Sequence, residues 1–245
     1  MNHLVLRVLS LRYSSWSIRP WLLLTHAGAT FETSTASASL ERQTLAANGA
    51  PAPQISPAEL DRRRAQGSIT GLFPVLEIDG SPVHESLAIA EWVADAFPSA
   101  RLWPNDTLQR AQARAVCAEM IAGFRNIRSE MSCHLFGRVP HFEPSPACRT
   151  EIDRVFEVFR SALAKSGGPF LFGHFTIADA MYYPVRTRFR TYGIDIPRDL
   201  AAYIDALDGL PAVQSLVQMA RSAPLLPVYD AYLLELGGDP NAGLS

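Results

Sequence analysis

The chain has 245 residues, 48% hydrophobic and 19% charged, with a formal net charge of −2 at pH 7. That length holds one large domain or two modest ones around a real apolar core, and the near-neutral balance without a basic block argues against nucleic acid as a partner. No apolar run approaches the roughly 18 residues of a membrane helix, and the first ten residues lack the charged-then-apolar layout of a signal peptide, so a cytoplasmic protein with no membrane partner is expected.

In chain order, Leu4 to Leu9 is a short β-rich run that ends in a hydroxyl-rich loop, Ser10 to Ser17. Ile18 to Ala27 reads as a helix with Gly28 at its C′ position. Pro20 suits only a first turn, so the regular helix is expected to start nearer Ser17, which then competes with Ser14 as its cap. Phe31 to Thr35 alternates as a second strand. Residues 36–58 read as an irregular connection, and Glu59 to Gln66 as one or two helical turns. Arg62-Arg63-Arg64 is the one basic cluster and is expected to be a solvated face. Pro74 to Ile78 and Pro82 to His84 flank Asp79-Gly80, a strong hairpin signal. Ser86 to Phe97 follows as a helix stopped by Pro98.

Composition then changes. Pro98 to Pro104 reads as a linker, and Asp106 to Phe136 carries helical periodicity over some eight turns without a proline. Ser145-Pro146 opens another helix running to about Lys165 and ending at Gly167-Gly168. Thr176-Ile177-Ala178-Asp179 resembles a capping box with Asp in place of Glu or Gln. Arg198 to Leu207 and Ala212 to Arg221 fit two more helices, and no convincing strand follows residue 105. The order β-α-β, loop, β-β-α is the thioredoxin-like arrangement, here followed by an all-helical segment. Residues 1–97, 98–105 and 106–245 are the expected sheet domain, linker and helical domain. Cys117, Cys133 and Cys148 form no C-x-x-C pair, so neither a disulfide scaffold nor a metal site is expected. No H-E-x-x-H, G-x-G-x-x-G, Walker loop or G-x-S-x-G is present.

The loop Tyr13-Ser14-Ser15-Trp16-Ser17-Ile18-Arg19, the run Phe73-Pro74-Val75-Leu76, the pair Glu85-Ser86 and the Thr176-x-x-Asp179 box, in this order and at these separations, resemble the cytosolic glutathione transferase family. Within it the Ser-Ser-x-Ser-x-Arg loop is most similar to the zeta class, which includes maleylacetoacetate and maleylpyruvate isomerases. The chain departs from that class by placing Trp16 where cysteine is usual, which weakens the isomerase reading.

The resemblance implies glutathione as co-substrate, a homodimer, and a role in transferase or detoxification chemistry on a small electrophile. It implies Ser14 as the hydroxyl that holds the thiol as thiolate, and Ser15 as a supporting donor. It implies a cis bond at Pro74 that exposes the Phe73 backbone to the cysteinyl part of glutathione, with Ser86 on the γ-glutamyl carboxylate and Glu85 on its ammonium. A free thiol has a pKa near 8.5, and a hydroxyl donor at a helix N-terminus favours the anion through a charge-assisted hydrogen bond and the helix dipole. Helix capping alone also explains such serines, and Tyr13 or Ser17 is an alternative thiol contact. The electrophile is expected between the domains, with Tyr13, Trp16, Met120 and Phe124 as candidate walls. Arg12, Arg19 and Arg114 are candidate carboxylate holders. Glutathione-dependent isomerisation, a peroxidase side activity, a glutaredoxin-like exchanger and a non-catalytic interaction module are the rival readings. The tail from Leu225 is expected either to cover the pocket or to pack on a partner.

Overall fold

The computed structural model describes residues 2–36 and 56–244; most of the irregular connection expected at 36–58 lies outside them. Four strands, β1 (Leu4–Val8), β2 (Glu32–Thr35), β3 (Val75–Ile78) and β4 (Ser81–His84), form one sheet in the order β2-β1-β3-β4. The pair β1/β2 is parallel, joined through α1 (Ser15–His26), whereas β1/β3 and β3/β4 are antiparallel. Asp79 (φ 47°) and Gly80 (φ 83°) make the hairpin, both left-handed as a two-residue type I′ turn demands. Helices α2 (Pro57–Ala65) and α3 (Ser86–Ala96) complete this unit, which is thioredoxin-like.

The rest is helical: α4 (Thr107–Ala122), α5 (Arg125–Glu130), α6 (Pro146–Ser166), α7 (Ile177–Thr191), α8 (Ala201–Asp208), α9 (Pro211–Arg221) and α10 (Pro227–Glu235). The expected linker is not slack, because Leu102 and Trp103 are buried and the Trp103 indole donates to Glu91 at 2.9 Å. Helix α7 is buried nearly all round, its polar Asp179, Thr187, Arg188 and Thr191 included, because it is the central pillar, packing on α1 and α4. Its start is the expected capping box: Asp179 is buried and accepts from Thr176 N (2.8 Å), Thr176 Oγ1 (2.9 Å) and Leu171 N (3.1 Å). No helix among the described residues is long and apolar enough to cross a membrane.

Three expectations are corrected. The helix foreseen over Asp106 to Phe136 breaks at Gly123-Phe124, where Phe124 adopts φ 55°. Arg128 terminates α4 by donating to the carbonyls of Ile121 (3.3 Å) and Gly123 (2.5 Å), a cationic C-cap that periodicity does not reveal. Arg63 is no solvated charge: it is buried, pairs with buried Glu59 at 2.8 Å and donates to Gly71 O at 3.2 Å. Helix α1 starts at Ser15 with Ser14 as its cap, so Pro20 lies inside it. The three cysteines are free and buried.

Replacing Asp179 by Ala strips the partner from two buried backbone N–H groups. We expect a loss of about 3 kcal/mol in urea unfolding, against about 1 kcal/mol if only a cap were lost.

Candidate functional site

Pro20 lacks the N–H that would bond the carbonyl four residues back, that of Trp16. The Ser86 hydroxyl supplies the missing donor, reaching Trp16 O at 3.0 Å. A residue at the first position of α3 thereby ties down the first turn of α1, and two helix N-termini meet at one corner. The antiparallel register, with Arg7 opposite Val75, brings the end of β1 beside Phe73-Pro74 at the start of β3. The Phe73–Pro74 peptide is cis. Neither the N–H nor the C=O of Phe73 has a hydrogen-bond partner among the described residues. Ser14, Ser15, Phe73, Pro74, Glu85 and Ser86, separated by up to 72 positions in sequence, thus belong to a single corner.

Ser14 is buried, and its Oγ accepts from Ser17 N at 3.3 Å. Capping uses an oxygen lone pair and leaves the hydroxyl proton free, so a cap and a donor to a ligand are compatible in one side chain. Ser15 is the first residue of α1, where backbone N–H groups carry the positive end of the dipole. Ser17 Oγ accepts from Leu9 N at 3.1 Å and pins the loop to the end of β1, and unlike Ser14 this side chain is fully buried.

At α3 the cap residue Glu85 makes no capping bond and stands at φ 72°, ψ 125°, costing a non-glycine residue about 1–3 kcal/mol. Its side chain is exposed while Ser86 is buried. Because the Ser86 hydroxyl donates to Trp16, its backbone N–H is the group left for an anion.

Tyr13, the alternative thiol contact, turns away. Its ring is buried, stacked on Tyr229 at 5.1 Å and edge-on to His134 at 4.9 Å, and its hydroxyl donates to Asp230 Oδ1 at 2.9 Å. Burial, reinforced by Asp230, raises the phenol well above its ordinary range. Met120 and Phe124 are core rather than open walls. Trp16 is half-buried, between Arg19 (4.2 Å from its ring) and Arg128 (5.7 Å), and remains the candidate wall. Arg114 is exposed and paired with Glu91 at 3.1 Å. Arg19 is buried, donates to Met181 O at 3.0 Å, and is lowered to about 9 by burial and then by Arg188 and Arg128. A groove of about 250 Å³ between α4 and α6, bordered by Val116, Glu119 and Arg154, lies away from this corner. Its walls hold none of the groups just described. Among the described residues no His, Cys, Asp and Glu cluster could hold a metal ion.

Sequence reasoning missed His134 and Asp230. His134 is fully buried; its Nδ1 accepts from Gly137 N (2.8 Å) and Phe136 N (3.2 Å), so Nε2 carries the proton and donates to Asp230 Oδ1 at 2.9 Å. No local pattern could have announced contacts spanning 96 and 217 positions.

Two substitutions test this geometry. Ser86→Ala leaves the Trp16 carbonyl unpaired, and urea unfolding should show a loss of about 1–2 kcal/mol. Burial, opposed by Asp230 and aided by Arg12 and Arg138, lowers His134 from 6.5 to about 4. The folded state therefore binds fewer protons than the unfolded chain between those values. Its contribution is complete above pH 6.5 and shrinks as pH falls toward 4, by about 3 kcal/mol in all. The urea midpoint should drop over that window, and His134→Gln should flatten that part of the slope.

Comparison with known proteins places the chain. The family profile “Glutathione S-transferase, N-terminal domain” matches residues 13–96, and “Glutathione S-transferase, C-terminal domain” matches residues 92–215. A Drosophila melanogaster protein named “Probable maleylacetoacetate isomerase 2” is 26% identical over 145 residues, 58% of this chain and 63% of that protein. A Caenorhabditis elegans protein named “Probable maleylacetoacetate isomerase” is 34% identical over 56 residues, 23% of this chain and 26% of that one. The chain thus spans less than two thirds of either relative. Among solved structures, a glutathione transferase homologue from Burkholderia with bound glutathione superposes at a TM-score of 0.64, with 20% identity, 89% of this chain and 98% of that one covered. A Tau class glutathione S-transferase from mango, Mangifera indica, superposes at 0.60, with 18% identity over 89% and 96% of the two chains. At these identities the structures speak for the fold alone.

Proposed function

The chain belongs to the glutathione S-transferase family, and from that premise we propose that it is an enzyme adding the thiol of glutathione to a small electrophile. Ser14 is the hydroxyl that keeps the sulfur as thiolate. The observation that carries this reading is the split use of the Ser14 oxygen: a lone pair caps α1 while the proton stays free beside the helix N-terminus. Each unit of thiol pKa depression requires about 1.4 kcal/mol of added anion stabilisation. A charge-assisted hydrogen bond from Ser14, with the Ser15 N–H and the α1 dipole, is of the right size.

The other groups then divide glutathione among them. The Ser86 N–H takes the γ-glutamyl carboxylate at the open end of α3. Exposed Glu85 takes the γ-glutamyl ammonium, a role consistent with its strained backbone. The Phe73 backbone, left free before cis-Pro74, pairs with the cysteinyl part as an added strand would. In this reading residues 1–97 bind glutathione, 98–105 connect, 106–245 hold the electrophile against Trp16, and two copies form a dimer. Glutathione-dependent isomerisation of a maleyl-type diacid is the second reading, supported by the names of the two curated relatives.

The full chain should be retained on immobilised glutathione and released by free glutathione. A flow-through would favour a non-catalytic module of this fold. Ser14→Ala should raise the pKa of bound glutathione by about one to two units and lower turnover with the fold intact. An unchanged thiolate absorbance titration would remove the role given to Ser14.

A further inference from the structure

The loop carrying Ser14 is held from two sides. From within, the Ser10 hydroxyl accepts from Arg12 N (3.0 Å) and Tyr13 N (3.3 Å), and Ser10 O accepts from Ser14 N (3.3 Å). From outside, the two side chains just before Ser14 are held by the C-terminal segment. Tyr13 Oη donates to Asp230 Oδ1 (2.9 Å), which also takes the His134 Nε2 proton (2.9 Å). Arg12 Nη2 donates to Asn241 Oδ1 (2.8 Å) and Pro240 O (3.1 Å).

The segment itself is fixed. Arg138 and Asp239 exchange backbone bonds of 2.8 Å each, Gly243 N reaches Phe136 O at 2.8 Å, and Tyr232 Oη reaches Glu130 O at 2.8 Å. These contacts brace residues 131–139, whose Leu135 N returns to Arg12 O at 3.1 Å. A closed circuit results: loop 10–14, segment 131–139, and tail 226–244.

A Tyr–Asp–His node is built entirely from polar groups that an apolar cluster could replace, and it acts on the residue adjoining Ser14. The phenol proton is committed to Asp230 in the tail and is not available to a ligand. We propose that Asp230, with Asn241, is a positioning residue for the thiol site: the C-terminal segment sets the angle of Tyr13 and Arg12 and thereby aims the Ser14 hydroxyl and Ser15 N–H at the sulfur. This rests on the glutathione reading above and assigns the tail a part in it.

The experiment compares the pKa of bound glutathione, read from thiolate absorbance against pH, in the full wild-type chain and three variants, together with thermal unfolding. Asp230→Ala should raise that pKa by about one unit, tenfold less thiolate at a fixed lower pH. Asp230→Asn keeps an Oδ1 that accepts the same two bonds and should hold the pKa close to wild type. Asn241→Ala removes one of the two bonds that hold Arg12, leaving the one to Pro240 O, and should raise it by a smaller amount. A lower melting temperature in Asp230→Ala with an unchanged bound-thiol pKa would mean a structural brace only and overturn the inference. Should Asp230→Ala fail to fold, Asn241→Ala decides: a raised pKa supports the assignment and an unmoved one refutes it. A wild-type chain that binds no glutathione removes both readings, whereas normal binding with identical titrations in all variants removes this one alone.

Discussion

The hydrogen bond from the Ser86 hydroxyl to the Trp16 carbonyl is the contact on which the corner depends. A proline six places into a helix leaves one carbonyl without its donor. Here the orphan is satisfied from the first residue of another helix, so the defect in α1 becomes the joint between α1 and α3. Two positive helix ends are thereby held side by side, with the free backbone of Phe73 along one edge. That is a surface suited to an anionic, peptide-like ligand before any side chain is considered.

Chemistry at such a corner is economical. In the proposed reading the protein brings no nucleophile; it lends a hydroxyl proton and a field to a sulfur supplied by the ligand. The Ser14 oxygen can serve helix and ligand together because capping needs an acceptor and thiolate stabilisation needs a donor. The Ser86 hydroxyl cannot, since its only proton goes to Trp16. In that reading the asymmetry favours backbone N–H groups over the Ser86 side chain as partners of the γ-glutamyl carboxylate.

Much of the fold was legible because local rules agreed with the global one. The Asp79-Gly80 turn, the Ser145-Pro146 helix start, Gly28 and Gly167 beyond helix ends, and the Thr176–Asp179 box each appear where turn and cap chemistry place them. What failed was what tertiary contacts decide. Pro20 argued for a late helix start, and only a serine 66 positions away reverses that. The break at Phe124 depends on a guanidinium folding back onto carbonyls, in a stretch whose periodicity continues without interruption. Arg63 looks like its neighbours Arg62 and Arg64, and burial with Glu59 separates it from them. The candidate site divides the same way: its serines stand in a recognisable order, while Asp230 and His134 carry no signal in their own neighbourhoods.

The central claim concerns where a borrowed sulfur comes to rest. A crystal of the protein soaked with glutathione measures it directly. The account predicts the sulfur within hydrogen-bonding distance of Ser14 Oγ, near the Ser15 N–H, with the Tyr13 hydroxyl still on Asp230. A sulfur bound instead to the Tyr13 hydroxyl, or remote from every hydroxyl of that loop, would contradict it.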